Sequence, residues 1–335
     1  MKDGKIVFDA VVHVHDYRDE MLINDDGYFL KKTTRADIEG TRRNGQEISV
    51  EATERPPDIA WSNKVLFEDS DTDFAMVQTI PLFGVFRDGM APAAGSHRLA
   101  ASNPERFVFC GGVDPIHQGV RGALYEMERQ VAEWGATSFK FYQAQSMRHW
   151  WTADDRELAY PLFEKAQELG VKMVQFHKGL PLGRQRVETL RPNDIQLAAY
   201  DFPDLNFGLH HLGDPYVDET INIAARFPNI YLVLPVLFNQ YFVQPTPMLH
   251  RLGQALLMVG EDRLCYGTDA FLWPKVQLYI DLLATLQFPE QLQDEFGYPE
   301  ITEATREKIM GKNFAEGLGL DLPAMAARAG LTSNG

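Results

Sequence analysis

The sequence predicts an α/β fold, specifically a (β/α)8 TIM barrel with an insertion after the first strand. Short apolar segments recur along the 335 residues, and amphipathic segments separate them. After the first, the apolar segments begin about 25 to 35 residues apart, which is the spacing of one strand–helix unit. The sequence contains no G-x-G-x-x-G or G-x-x-x-x-G-K-[ST] phosphate loop, which argues against a doubly wound sheet.

Eight segments have the composition of buried strands, being rich in Val, Ile and Phe and bounded by turn-forming residues. The predicted strands are 5–14, 73–80, 106–113, 137–142, 171–177, 205–211, 230–234 and 263–267. Hydrophobic periodicity between them predicts helices at 119–135, 154–170, 218–228 and 246–260. This alternation predicts that the strands pair in parallel.

The chain is expected to form a single domain over residues 1–335. Residues 16–72, between the first two strands, are polar and irregular. We expect this insertion to form a lid over the barrel mouth or an interface element. Residues 321–335 are expected to form a C-terminal tail.

Composition and charge exclude several classes of protein. The hydrophobic content of 45% is sufficient for a large core, and the net charge of −15 argues against nucleic-acid binding. Two cysteines, Cys110 and Cys265, make no disulfide framework, as is usual in a reducing compartment. The apolar run at 230–238 is about half the length of a membrane span, and the N-terminal residues do not resemble a signal peptide. We therefore expect a cytoplasmic protein that binds neither nucleic acid nor membranes.

Histidines end three of the predicted strands. His13 and His15 end the first and, because side chains alternate along a strand, share one face. His177 and His211 end the fifth and sixth strands, and Asp269 follows the eighth. The active site of a TIM barrel lies at the carboxyl ends of its strands, and imidazole and carboxylate are ligands of divalent metals. These five residues are predicted to form a metal site.

His210 directly precedes His211. Because adjacent residues of a strand face opposite sides, we expect His211 to face the barrel interior and His210 to pack behind the strand. Structural roles are expected for the remaining histidines, namely His97, His117, His149 and His250.

Seven segments, in order from residue 9 to about 320, carry a resemblance to a known family. They are DAVVHVH, NPERFVFCGGVDP, AQELGVKMVQFHKG, FPDLNFGLHHLGDP, RFPNIYLVL, VGEDRLCYGTDAFLWP and EKIMGKNFAEGLGL. The sequence resembles the amidohydrolase superfamily, in the amidohydrolase-2 branch that includes aminocarboxymuconate-semialdehyde decarboxylase and the γ-resorcylate and carboxyvanillate decarboxylases.

The resemblance implies a role for each predicted ligand. His13, His15 and His177 would bind metal, and Asp269 would bind metal and move the proton. His211 would be either a further ligand or a catalytic acid/base. The implied cofactor is a divalent metal ion, with zinc favoured, manganese or iron as alternatives, and one or two ions bound.

Three residues near the strand ends are predicted to bind substrate. Lys140 lies on the fourth strand, and an inward-pointing lysine is costly unless it is paired. Some superfamily members carbamylate a fourth-strand lysine to bridge two metals, which is the alternative role for Lys140. Arg184 would bind a substrate carboxylate, and Trp273 would help to exclude solvent around the metal.

We therefore expect a metal-dependent hydrolase or carbon–carbon lyase (decarboxylase) that acts on a small organic acid, with Asp269 and His211 as catalytic residues. One alternative is a dinuclear iron or manganese oxygenase of the same fold. Another is a metal-binding subunit that supports a related catalytic partner. We expect a homodimer or higher oligomer, with a heteromer containing a related chain as the alternative.

Overall fold

Eight parallel strands form one sheet, in which each strand pairs with the next one along the chain. The computed structural model describes residues 1–40 and 54–331. The sheet closes because Ala10 N donates to Tyr266 O and Asp269 N donates to Val11 O, both at 3.0 Å. The predicted barrel is confirmed. Its strands are β1 (Phe8–Val12), β2 (Phe74–Gln78), β3 (Phe107–Gly112), β4 (Ser138–Phe141), β5 (Met173–Phe176), β6 (Asn206–His210), β7 (Ile230–Val233) and β8 (Leu264–Cys265).

Helices alternate with the strands. They are α1 (Asp25–Gly40), α2 (Ile59–Phe67), α3 (Ala93–Ser102), α4 (Gly119–Trp134), α5 (Tyr160–Glu168), α6 (Ile195–Asp201), α7 (Val217–Arg226), α8 (Leu237–Tyr241), α9 (Pro245–Val259), α10 (Gln277–Thr285), α11 (Glu290–Phe296), α12 (Glu303–Glu307), α13 (Asn313–Gly317) and α14 (Leu322–Arg328). Shorter helical turns lie at Asp19–Met21, Val187–Leu190, Pro192–Asp194, His211–Gly213 and Lys308–Lys312. Within residues 1–40 and 54–331, no helix is both long enough and apolar enough to cross a bilayer.

Hydrogen-bonded polar side chains occupy part of the barrel interior. Gln78 Nε2 donates to Gln175 Oε1 at 2.9 Å, and Gln175 Nε2 donates to Ser138 Oγ at 3.1 Å. All three side chains are fully buried. Because a buried amide is costly unless its donors and acceptors are paired, these bonds fix the relative positions of β2, β4 and β5.

Strained backbone marks the carboxyl ends of the last three strands. Positive φ angles occur at His211 (59°), Leu212 (51°), Val236 (69°) and Asp269 (64°). A residue other than glycine in this conformation costs roughly 1–3 kcal/mol, and such strain concentrates at functional sites. The strain therefore points to this end of the barrel as the functional face.

Helix α1, within the predicted insertion at 16–72, lies across the barrel mouth. Two glycines permit close backbone contact there. A Cβ on Gly27 would collide with the carbonyl oxygen of Val85, and a Cβ on Gly183, at φ +65°, would lie 2.8 Å from the Cα of Leu30. Only glycine fits at these two positions, so the backbone of α1 packs directly against the backbone of the neighbouring loops. Residues 41–53 of the insertion lie outside the described part of the chain.

The segment predicted as a tail, 321–335, contains helix α14. Asp321 caps the helix by accepting a hydrogen bond from Ala324 N at 2.9 Å. Met325 is buried and packs in the same apolar cluster as Phe8 and Phe314. In its described part this segment is a capped helix that an apolar residue anchors to the barrel. Residues 332–335 lie outside the described ranges.

Candidate active site

A small cavity lies at the carboxyl end of the barrel, beneath α1. Its volume of about 40 Å³ is room for three or four water molecules at roughly 10–15 Å³ each. The structure brings all five predicted metal ligands to its wall, together with two of the three predicted substrate-binding residues. These seven residues are His13, His15, Lys140, His177, His211, Asp269 and Trp273.

Sequence reasoning missed two tyrosines and part of α1 in the cavity wall. Tyr17 continues the alternation of His13 and His15, and Tyr142 continues that of Lys140. Extending each period-two pattern beyond the strand would therefore have found both tyrosines. Helix α1 contributes Thr34, Asp37 and Ile38 to the wall, and no local pattern shows where an insertion packs.

His13 faces Asp269 in an arrangement that fits a cation. Its Nδ1 lies 2.9 Å from the carbonyl oxygen of Gln78. A carbonyl oxygen only accepts, so Nδ1 carries the hydrogen and Nε2 of the neutral ring presents a lone pair. That Nε2 lies 3.2 Å from Asp269 Oδ1. Two acceptors this close repel unless a proton or a cation lies between them.

His177 shows the same pattern. Its Nε2 lies 3.2 Å from the carbonyl oxygen of Leu180 and 2.9 Å from the Tyr142 hydroxyl. Donation to the carbonyl leaves a lone pair on Nδ1, which lies 3.2 Å from His211 Nε2. Histidines that bind metals usually donate their other ring N–H to a carbonyl or carboxylate in this way.

Burial sets the charge of the cavity. It lowers the pKa of His15 to about 3 and that of His211 to about 4, and it places the pKa of His177 well below its ordinary value. Burial alone would raise the pKa of Asp269, but the facing ring of His13 and the other nearby imidazoles outweigh it, so this pKa lies below its usual range. Neutral imidazoles and an ionised carboxylate are the forms that bind divalent cations.

The candidate ligands form two close pairs, His13 with Asp269 and His177 with His211. Across the part of the chain that the structure describes, no three His, Cys, Asp or Glu side chains are placed to hold an ion as they stand. Ion binding therefore requires side-chain adjustment within the cavity. The fit rests on the donor types and on the carbonyl groups that orient His13 and His177.

Asp9 ties the first strand to the segment that carries Asp269. It accepts hydrogen bonds from Val11 N and Thr268 N, each at 3.0 Å, and from Thr268 Oγ1 at 2.5 Å. Burial raises the pKa of Asp9 to about 7. Because Thr268 immediately precedes Asp269, these bonds position the carboxylate relative to His13 and His15, which follow β1.

The prediction that His210 packs behind its strand is wrong. His210 is fully buried, and its ring nitrogens contact Lys140 Nζ at 2.5 Å and Gln175 Oε1 at 2.9 Å inside the barrel. The alternation ends at His210 because His211 adopts a positive φ of 59°. Both neighbouring rings therefore face the interior, which no sequence pattern indicates for a residue other than glycine.

Arg184 lies outside the cavity wall, contrary to its predicted contact with substrate. Its guanidinium donates to Asp26 at 2.7 Å and lies 4.3 Å from the ring centroid of Phe29, both on α1. The structure thus places Arg184 where it holds α1 against the loop after β5. Trp273, by contrast, lines the cavity and is 2% exposed.

Two buried lysines near the cavity differ in their partners. Lys178 Nζ lies 2.7 Å from Asp194 Oδ1, whereas the hydrogen-bond partner of Lys140 Nζ is the neutral His210. Burial lowers the pKa of Lys140 to about 7. This value is below the ordinary lysine pKa, so the folded state binds fewer protons than the unfolded state, and the contribution of Lys140 to stability rises from pH 7 towards pH 10.

We expect Lys178→Met to lower the free energy of unfolding by about 3–5 kcal/mol, because Asp194 is left buried and unpaired. Lys140→Met should not lower the free energy of unfolding at pH 7, since no buried anion loses a partner and the cost of burying the ammonium is removed. Urea unfolding at pH 7 and pH 9 measures both values, and the wild type should gain stability relative to Lys140→Met at the higher pH. Equal losses in the two variants would contradict this account.

A protein-family model described as Amidohydrolase matches residues 85–320. Among solved structures, an uncharacterized TIM-barrel protein from Bordetella bronchiseptica has a TM-score of 0.65 at 21% identity and covers 97% of this chain and 99% of its own. A manganese-bound 5-carboxyvanillate decarboxylase from Novosphingobium aromaticivorans has a TM-score of 0.58 at 14% identity, over 95% and 97% of the two chains. At these identities the likeness shows the fold.

Two further relatives have matching segments. A dihydroxybenzoic acid decarboxylase from Polaromonas, with bound manganese and the inhibitor 2-nitroresorcinol, has a TM-score of 0.56 at 16% identity, over 94% of this chain and 97% of that one. Protein fluG of Emericella nidulans is 30% identical over 148 residues, which are 42% of this chain and 16% of fluG. The chain therefore matches only a small part of that longer protein.

Proposed function

Since this chain belongs to the amidohydrolase family, as its sequence predicts, we propose that it is a metal-dependent decarboxylase of a small carboxylic acid. The family assignment makes it an enzyme of the hydrolase and decarboxylase type. Decarboxylation is supported by the two manganese-bound decarboxylases of the same fold. Hydrolysis is the alternative, and the test below separates the two.

One observation carries the proposal. His13 Nε2 and Asp269 Oδ1 face each other at 3.2 Å, while the Gln78 carbonyl holds the other ring nitrogen of His13 as a donor. A divalent cation between two such acceptors satisfies both. We assign His13, His15, His177 and Asp269 as its ligands, with His211 at the open side. Manganese and zinc both suit this mixed set of imidazole and carboxylate ligands.

When bound, the metal would supply Lewis acidity towards a substrate oxygen and would lower the pKa of a bound water. The other tasks belong to the chain itself. Apolar side chains such as Ile80, Leu182 and Leu272 line the cavity and keep water from the reacting carbon. Loss of CO₂ breaks the carbon–carboxylate bond and leaves the electron pair on carbon, which then takes a proton. Asp269 and His211 lie on the cavity wall, where they would relay that proton from the solvent to the carbon.

The test is a metal-dependent assay on hydroxybenzoic acids, with CO₂ release and ester hydrolysis measured in parallel. We expect CO₂ release that requires added manganese or zinc. Ester hydrolysis without CO₂ release would favour the hydrolase, and oxygen consumption with iron bound would favour the oxygenase. One tightly bound metal without turnover, together with co-purification of a related chain, would favour the supporting subunit. Oligomeric state and cytoplasmic location stay predictions.

A further inference from the structure

Lys140 is a buried amine whose ammonium form lacks an anionic partner. Its side chain is 2% exposed, and within residues 1–40 and 54–331 no carboxylate lies within 4.0 Å of Nζ. Lys178, which is equally buried, has Asp194 at 2.7 Å. An uncompensated buried ammonium costs several kcal/mol, so natural proteins pair such groups or use them. Because Lys140 lines the cavity, a bound ligand would be able to supply the missing negative charge.

A chain of hydrogen bonds sets the direction in which Lys140 donates. Gln78 Nε2 donates to the backbone carbonyl of Ala10 at 2.7 Å and to Gln175 Oε1 at 2.9 Å, which fixes both amides. Gln175 Oε1 can only accept, so His210 Nε2, at 2.9 Å from it, carries the hydrogen. His210 Nδ1 is therefore an acceptor, and Lys140 Nζ donates to it at 2.5 Å.

One donor of the ammonium is used by His210, and the group has three. We infer that Lys140 binds the carboxylate of the substrate with the donors that remain, and that His210 is a positioning residue that holds Nζ at the cavity wall. This inference deepens the proposed function and rests on it for the reaction. The binding role itself follows from the cavity and its unpaired cation.

The remaining cavity wall indicates the chemistry of the part of the ligand that is not the carboxylate. Its wall includes the apolar side chains of Met90, Leu180, Leu182, Leu272 and Trp273. A carboxylic acid with an apolar or aromatic body fits such a wall, whereas a second anionic group would meet Asp269. The cavity of about 40 Å³ is smaller than such a ligand. We therefore expect the wall, including α1, to adjust when such a ligand enters.

Calorimetry with benzoate and benzamide tests the role of Lys140, because the two probes have nearly the same shape and differ in charge. The full-length protein is used as isolated, with the metal content of every sample measured. We expect the wild type to bind benzoate at least about tenfold more tightly than benzamide. Lys140→Met should bind the two probes within about threefold of each other at unchanged metal content. Lys178→Met, the matched control, should retain the preference of the wild type.

Two variants of His210 separate positioning from a structural role. Asn places its oxygen near the position of Nδ1, so His210→Asn should keep the preference for benzoate within about threefold of the wild type. His210→Phe has no acceptor at this position and should lose most of the preference for benzoate. A merely structural role would lower Tm in both variants and leave the ratio of the two affinities unchanged.

An unchanged ratio in Lys140→Met would overturn the inference, as would the absence of benzoate binding by the wild type up to about 10 mM. Failure of the proposed function is a separate result. In that case the metal is absent or CO₂ release is not observed, while the preference for benzoate still depends on Lys140.

Discussion

Replacing Asp269 by Asn is expected to lower the divalent metal content of the purified protein at least about tenfold, and His177→Ala should do the same. Asp269 is the only carboxylate among the four proposed ligands. Asparagine has nearly the shape of aspartate but lacks the negative charge that offsets the charge of the cation. His177 contributes the Nδ1 lone pair that the Leu180 carbonyl leaves free. Elemental analysis of protein prepared without chelators measures the loss.

The matched control is Asp114→Asn. Asp114 is buried and pairs with the partly buried His149, whose Nε2 lies 3.0 Å from Oδ2, and this pair resembles His13 with Asp269 but lies outside the cavity wall. The metal content of Asp114→Asn should equal that of the wild type. Full occupancy in both Asp269→Asn and His177→Ala would refute the ligand assignment.

Replacing Gly27 by Val should displace α1 from the barrel mouth, because the added Cβ would collide with the carbonyl oxygen of Val85. We propose that α1 is the lid of the active site, since it covers a cavity too small for a carboxylic acid with an aromatic body. The displaced helix should expose the bonds after Lys31 and Arg35 to trypsin. Cleavage there should accelerate at least about tenfold, and turnover should fall because water enters the cavity.

Gly40→Ala is the control on the same helix, since a Cβ there has no neighbour within 4 Å. It should be cleaved at the rate of the wild type. Limited proteolysis with mass spectrometry identifies the sites and rates. Wild-type cleavage and wild-type turnover in Gly27→Val would show that the close backbone contact does not seat the helix.

Much of the fold could be predicted from the sequence, for a physical reason. Helices cover the outside of a parallel barrel, so its strands are buried on both sides and appear as nearly continuous apolar runs. The predicted strand at 171–177 therefore contains β5 (Met173–Phe176), with only its ends too long. β8 (Leu264–Cys265) is shorter than predicted, and the chain beyond it instead bonds to β1 through Thr268 and Asp269.

The candidate site could be predicted only in part. His13 and His15 follow from alternation, and His177 follows from its place at the end of β5. The inward position of His210 depends on a positive φ at His211, which is set by tertiary contacts and not by local sequence. The predicted substrate contact of Arg184 is wrong because proximity in a loop does not reveal a partner on α1, and Asp26 is that partner.

The central claim is that a divalent cation binds in the cavity that His13, His177 and Asp269 line. Elemental analysis of the wild-type protein, expressed with added manganese and zinc and purified without chelators, tests it most directly. The account predicts about one tightly held equivalent per chain, retained through gel filtration. Less than about a tenth of an equivalent, with the protein folded and α1 resistant to trypsin, would contradict it.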